Sequence, residues 1–192
     1  YNVSPDALLV NYKSLVMGFL PDVKGGLARI QYDPPLAGMA LQPSVPLAPE
    51  GTPCGDWHLR LQASLEAPGR MDFAGSYPAA CGARNWAVAP VDSAQFAARA
   101  IEGMWRELGG QLSGGVRDGR VPQGLEPAMV IESEALSQVV RDINKYSNNV
   151  MAQQVFLTMG RQRDGVGSWV SAQAALRQWW QRRGGAQALP IV

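Results

Sequence analysis

Hydrophobic periodicity along the chain switches near residue 90 from the two-residue repeat of strands to the 3.6-residue repeat of helices. Before that point, short strand-patterned runs occur at residues 8–16, 27–32, 36–41, 57–63, 71–74 and 86–89. Proline and glycine break them up, as in Asp33-Pro34-Pro35 and across residues 43–53, which keeps the strands short and the loops long. Beyond it Phe96, Ala100, Ile101, Met104, Trp105 and Leu108 form an apolar stripe at helical spacing. Asp92 or Ser93 is the expected N-cap, and Gly109-Gly110 the stop. A short β interlude is expected at residues 116–121 and 128–131, around Pro122-Gln123-Gly124. Three further helices follow. Leu136, Val139, Val140 and Ile143 mark the first, and residues 150–159 are apolar on so many sides that a buried helix is expected. Residues 169–183 form the last, opened by Ser168 and closed by Gly184-Gly185, with Arg182 and Arg183 at its negative end. This pattern predicts an α+β fold.

A chain of 192 residues that is 46% hydrophobic can build one domain or two small ones around a real core. Its formal net charge of +1 leaves no electrostatic footprint for nucleic acid, and no basic amphipathic stretch argues for a membrane surface. No apolar run approaches the roughly 20 residues that cross a bilayer. No charged segment followed by an apolar one opens the chain, and its Tyr1-Asn2-Val3 start reads as that of a mature or excised segment.

Residues 57–63 and 71–74 read as the arms of a β-hairpin turning at Pro68-Gly69. The turn lies midway between Cys54 and Cys81, so the two thiols should face each other across the open end. A disulfide there would close a loop of 27 residues, for which chain entropy gives about 3 to 4 kcal/mol. It implies an oxidising compartment. The alternative is two independent buried thiols. His58 is the sole histidine and falls on the polar face of its predicted strand, which leaves zinc short of its four ligands. No metal or other cofactor is expected.

The run Ile143-Asn144-Lys145-Tyr146-Ser147-Asn148-Asn149-Val150-Met151 sets a Ser-x-Asn triplet between two helix-patterned segments. Taken alone, the triplet reads as a helix N-cap, where Ser or Asn oxygens satisfy orphan amides. The same setting holds the second catalytic motif of penicillin-recognising serine acyl-enzymes. Four further features accompany it: the opening Tyr1-Asn2-Val3-Ser4-Pro5, a strand pair closed by Cys54 and Cys81, the run Ala87-Val88-Ala89-Pro90-Val91-Asp92, and the ending Leu189-Pro190-Ile191-Val192. With these, the chain resembles the D-alanyl-D-alanine carboxypeptidase/endopeptidases of the penicillin-binding protein 4 type, peptidase family S13.

The resemblance implies a β-rich accessory, inserted region over residues 1–88. Residues 89–192 would then be the helical part of a penicillin-binding, serine β-lactamase-like transpeptidase domain, incomplete here. It implies a periplasmic protein acting on peptidoglycan stem peptides that end in D-Ala-D-Ala, inhibited by β-lactams and needing no cofactor. In such enzymes a Ser with a Lys one helical turn later attacks the penultimate D-alanine carbonyl, and water then hydrolyses the acyl-enzyme. Carried over, Ser147 relays a proton toward the leaving D-alanine, while Asn149 orients the Lys and binds the substrate amide.

The sequence also departs from the family pattern. No Ser is followed three positions later by Lys, and none of Lys13, Lys24 and Lys145 opens a Lys-Thr-Gly; Lys13-Ser14 runs on into Leu15. By the resemblance the chain is the middle of the enzyme and inert alone. The alternative is a non-catalytic cell-wall binding or assembly module with a vestigial site. Lys145 and Ser147 are two apart and point away from each other on a helix, so Lys145 reads as solvated rather than as half of a dyad. Gly165-Val166-Gly167 reads as a connector, since no strand precedes it. Of the pair Trp179-Trp180, one is expected in the core and the other against a neighbouring domain.

Overall fold

The structure, a computed structural model, describes residues 3–64, 69–89 and 93–184. They fall into two compact units, Leu8–Gln123 and Tyr1–Ala7 with Gly124–Val192. The first contains β1 (Leu15–Asp22), β2 (Leu27–Asp33), β3 (Ala40–Leu41), β4 (Ser44–Pro46), α1 (Trp57–Leu61), β5 (Ala63–Ser64), β6 (Arg70–Phe73), β7 (Arg84–Val88) and α2 (Phe96–Glu107). The second contains α3 (Leu136–Tyr146), α4 (Asn149–Asp164) and α5 (Trp169–Arg182). The fold is α+β, as the change of periodicity predicts.

Strands β4, β2, β1 and β7 form, in that order, a four-stranded antiparallel sheet. The β1–β2 hairpin turns through Gly25 and Gly26: the Asp22 carboxylate accepts the Gly25 amide at 3.0 Å, and Gly26 takes a φ of +66° that suits glycine. The two-residue pleat sends Leu15, Met17 and Phe19 of β1 into the core, all fully buried. The Phe19 ring stacks on Tyr77 at 5.4 Å and meets Trp57 and Phe73 edge-on at 5.4 and 5.7 Å. Each such pair adds about 0.5 to 1.5 kcal/mol beyond its area. A smaller sheet, β3-β6-β5, is tied in by Gln42, whose side chain accepts the Phe73 amide at 2.9 Å and donates to the Ser44 carbonyl at 2.7 Å. The Tyr32 hydroxyl donates to the Gln42 carbonyl; burial, and then the charge of Asp72, push its pKa well above the usual tyrosine value.

Helix α2 lays Phe96 and Ala100 on this core. A Cβ at Gly103 would stand 2.2 Å from the Pro35 carbonyl oxygen, so only glycine permits this approach of helix to backbone.

Several elements differ from the sequence reading. Residues 57–61 form α1 rather than a strand, so His58 lies on a helix and not on the polar face of a strand. Trp57 and Leu61, four apart, are both buried while Leu59 is exposed, which is the helical pattern; a strand would have buried all three. Gln62, in the left-handed region at φ 47°, ends the helix, and only β5 and β6 remain as the hairpin's arms. Pro68 lies outside the described residues. Cys54 and Cys81 are nevertheless joined, with Cα atoms 4.7 Å apart.

The strand expected at 8–16 is replaced by a tight turn, Val10–Lys13, and the strand runs on through Gly18 and Pro21 to Asp22. The strand expected at 36–41 is confined to Ala40–Leu41. Residues 116–121 and 128–131 form no strand and, apart from the half-buried Val116, lie exposed, with no strand partner among the described residues. Helix α2 starts at Phe96 behind a turn over Ser93–Gln95; Asp92, the other expected cap, lies outside the described residues. Helix α4 is longer than expected and half-open, with Val150 and Gly160 its buried residues. Helix α5 follows the expectation closely. Ser168 caps it, and Ser171 closes a reciprocal capping box.

Candidate active site

Ser147, Asn148 and Asn149 make up the junction of α3 and α4. Helix α3 stops because Ser147 takes the left-handed conformation, φ 51° and ψ 45°, with its amide still bonded to the Ile143 carbonyl. Non-glycine residues in this region carry strain of order 1 to 3 kcal/mol. The Asn148 amide also donates to the Ile143 carbonyl, at 3.1 Å. Its backbone then turns extended, and its side-chain oxygen accepts the Met151 amide at 3.0 Å. Asn148, the middle residue of the triplet, is therefore the N-cap of α4. Asn149 is the first helical residue, followed at once by the buried anchor Val150.

This division of labour leaves the outer two residues free. The Ser147 and Asn149 side chains are exposed and make no hydrogen bond among the described residues. The capping property that the sequence offered as their ordinary explanation belongs to their neighbour.

Helix α4 supplies a stiff base. Its Gln154 side chain donates to the Asp6 carbonyl at 2.6 Å. Phe156 meets Trp169 of α5 at 5.2 Å between ring centroids, and Gly160 lets the two helices touch at Ser171 and Ala172. Of the other groups weighed in the sequence, Lys145 is solvent-exposed and places its ammonium 4.9 Å from the Tyr146 ring centroid. Gly165 is the left-handed C-cap of α4, so Gly165-Val166-Gly167 is a helix connector. Trp179 and Trp180 are both partly exposed, contrary to the expectation that one enters the core, because α5 presents Ser171 and Ala172 as its buried residues instead. His58 stacks on Trp57 at 3.8 Å with Nδ1 3.6 Å from Asp56. No group of three or more His, Cys, Asp or Glu able to hold a metal is present among the described residues. No described helix is long and apolar enough to cross a membrane.

Compared with known families, residues 2–187 match the D-Ala-D-Ala carboxypeptidase 3 (S13) family. The chain belongs to that family. Its fold is similar to that of penicillin binding protein 4 from Haemophilus influenzae, solved in complex with a novel β-lactam. The TM-score is 0.55 at 16% sequence identity, over 91% of this chain and 40% of that one. The chain thus spans less than half of that relative's length, and at this identity the likeness speaks for the fold. No curated protein sequence matches the chain. The sequence reveals the Ser-x-Asn triplet, but not the left-handed turn at Ser147 or the cap at Asn148. Three consecutive helix-compatible polar residues give no signal of which one will leave the helical conformation.

Proposed function

We propose that this S13 chain contributes the second catalytic motif of a periplasmic serine-type D-Ala-D-Ala carboxypeptidase/endopeptidase. That enzyme cleaves peptidoglycan peptides through an acyl-enzyme and is inhibited by β-lactams. The observation that carries the reading is the junction itself. Ser147 is held in a strained conformation and Asn149 is fixed at the head of a stiff helix, while Asn148 alone satisfies the helix terminus. Backbone strain of this kind recurs at functional positions.

In this mechanism the hydroxyl of Ser147 passes a proton toward the nitrogen of the departing D-alanine, and the Asn149 amide orients the catalytic Lys and binds the substrate amide. The nucleophilic Ser, its Lys and the carboxylate-binding Lys-Thr-Gly come from sequence outside this chain, which holds neither motif. Labelling with a fluorescent penicillin tests this. The 192-residue chain should form no covalent band on a denaturing gel, and a longer protein that adds both motifs should form one. A stable band on the chain alone, or none on the longer protein, overturns the proposal.

A further inference from the structure

Helices α4 and α5 concentrate positive charge. From residue 149 to 184 stand Arg161, Arg163, Arg177, Arg182 and Arg183 against Asp164 alone, in a chain whose net charge is only +1, so the remainder is net acidic. Helix α5 contains no acidic residue.

The same helix displays tryptophan. Trp169, Gln173, Arg177 and Trp180 recur at helical spacing and share one face. Ser171 and Ala172, buried against α4, point elsewhere. Trp169 is 52% exposed, Val170 78% and Trp180 36%. At the C-terminal end Trp179 is 48% exposed, with the Arg183 guanidinium 5.4 Å from its ring centroid. This composition escapes an amphipathic reading of the sequence, in which tryptophans at core spacing look like core.

Half-exposed indoles beside Arg177 and Arg183, on a helix without a carboxylate, suit one environment well. The rings settle at the headgroup boundary of a bilayer with the indole N–H still hydrated, and the guanidinium groups meet phosphates. A soluble polyanion would satisfy the arginines and leave the stripe, about 17 Å long from Trp169 to Trp180, uncovered. From this charge complementarity and the exposed ring face, we propose that α5 docks the protein on an anionic phospholipid surface. The proposal is independent of the catalytic reading above.

Sedimentation with vesicles tests it, using the 192-residue chain with phosphatidylglycerol/phosphatidylcholine vesicles and with pure phosphatidylcholine vesicles at low salt. The chain should pellet with the anionic vesicles only, with a blue shift of tryptophan emission, and added salt should release it. The double variant Arg177→Glu, Arg183→Glu alters the two exposed arginines that stand beside these rings, and circular dichroism verifies its fold. It should bind at least about 30-fold more weakly. No binding to either vesicle, equal binding to both, insensitivity to salt, or a folded double variant with undiminished binding overturns the proposal. Binding to single-stranded DNA or isolated peptidoglycan without binding to vesicles overturns it in favour of that polymer.

Discussion

Gly160→Ala turns the α4–α5 contact into a test of sign. In an ordinary helix interior this substitution stabilises by about 1 kcal/mol, because alanine loses less backbone entropy on folding. Here the added Cβ would stand 2.5 Å from Ser171 Oγ, 2.7 Å from the Ala172 nitrogen and 3.1 Å from its Cα. Two of these neighbours are backbone atoms and cannot rotate away. Ser171 Oγ is held as well: it donates to the Val166 carbonyl at 2.8 Å, accepts the Ser168 amide at 3.1 Å and lies 2.8 Å from Ser168 Oγ. Overpacking a tight contact costs about 1 to 3 kcal/mol, and displacing Ser171 breaks the capping box, worth about 1 kcal/mol more. The capping loss roughly offsets the propensity gain, so the variant should be about 1 to 3 kcal/mol less stable. Urea unfolding followed by far-ultraviolet circular dichroism reads this out. Adding Ser171→Ala should couple with it, the two losses failing to add, because one side chain is the obstacle in both. A Gly160→Ala protein that is more stable than the parent would refute the close contact on which the rigidity of α4 rests.

Two predictions concern the β-rich unit. Tyr32 has a folded-state pKa raised above 10.0 by burial and by Asp72, so its contribution to stability is complete below the unfolded-state value of 10.0 and is lost as pH rises beyond it. Unfolding midpoints should therefore fall as pH climbs above about 10, and fall less steeply in Tyr32→Phe; parallel pH profiles would contradict this. Reducing Cys54–Cys81 should cost about 3.5 kcal/mol from the loop of 27 residues. Amide exchange should then rise around α1 and β7 before it rises in α4 and α5, and equal loosening of both units would be the contrary result.

The sequence shows some features of this protein more clearly than others, for physical reasons. Helix α5 is readable because Ser168 and Gly184 punctuate it, and β2 because its alternation is uninterrupted. Helix α1 is not: in five residues Trp57 and Leu61 fit a two-residue and a four-residue repeat alike, and the tertiary contacts of Trp57 decide between them. Gly18 and Pro21 make the strand look shorter in the sequence than β1 is, because both are poor strand formers that the sheet nevertheless accommodates. Residues 128–131 have strand composition, yet pairing needs a partner that local sequence cannot supply. At the candidate site the residue types were visible, but the roles within Ser147-Asn148-Asn149 depend on which backbone turns left-handed.

The central claim is that Ser147 and Asn149 act on substrate while Asn148 holds the helix. It is tested most directly by D-alanine release from a D-Ala-D-Ala peptide, in the longer protein that adds the nucleophile and Lys-Thr-Gly motifs, with rates corrected for folded fraction. Asn148→Ala should lose about 1 kcal/mol of stability with nearly parental turnover per folded molecule. Ser147→Ala should keep its fold and lose about 100-fold to 10,000-fold in rate, the usual contribution of positioned proton transfer, and Asn149→Ala should slow acylation by penicillin as well. Parental turnover in folded Ser147→Ala and Asn149→Ala would contradict the account and leave the junction a helix boundary and nothing more.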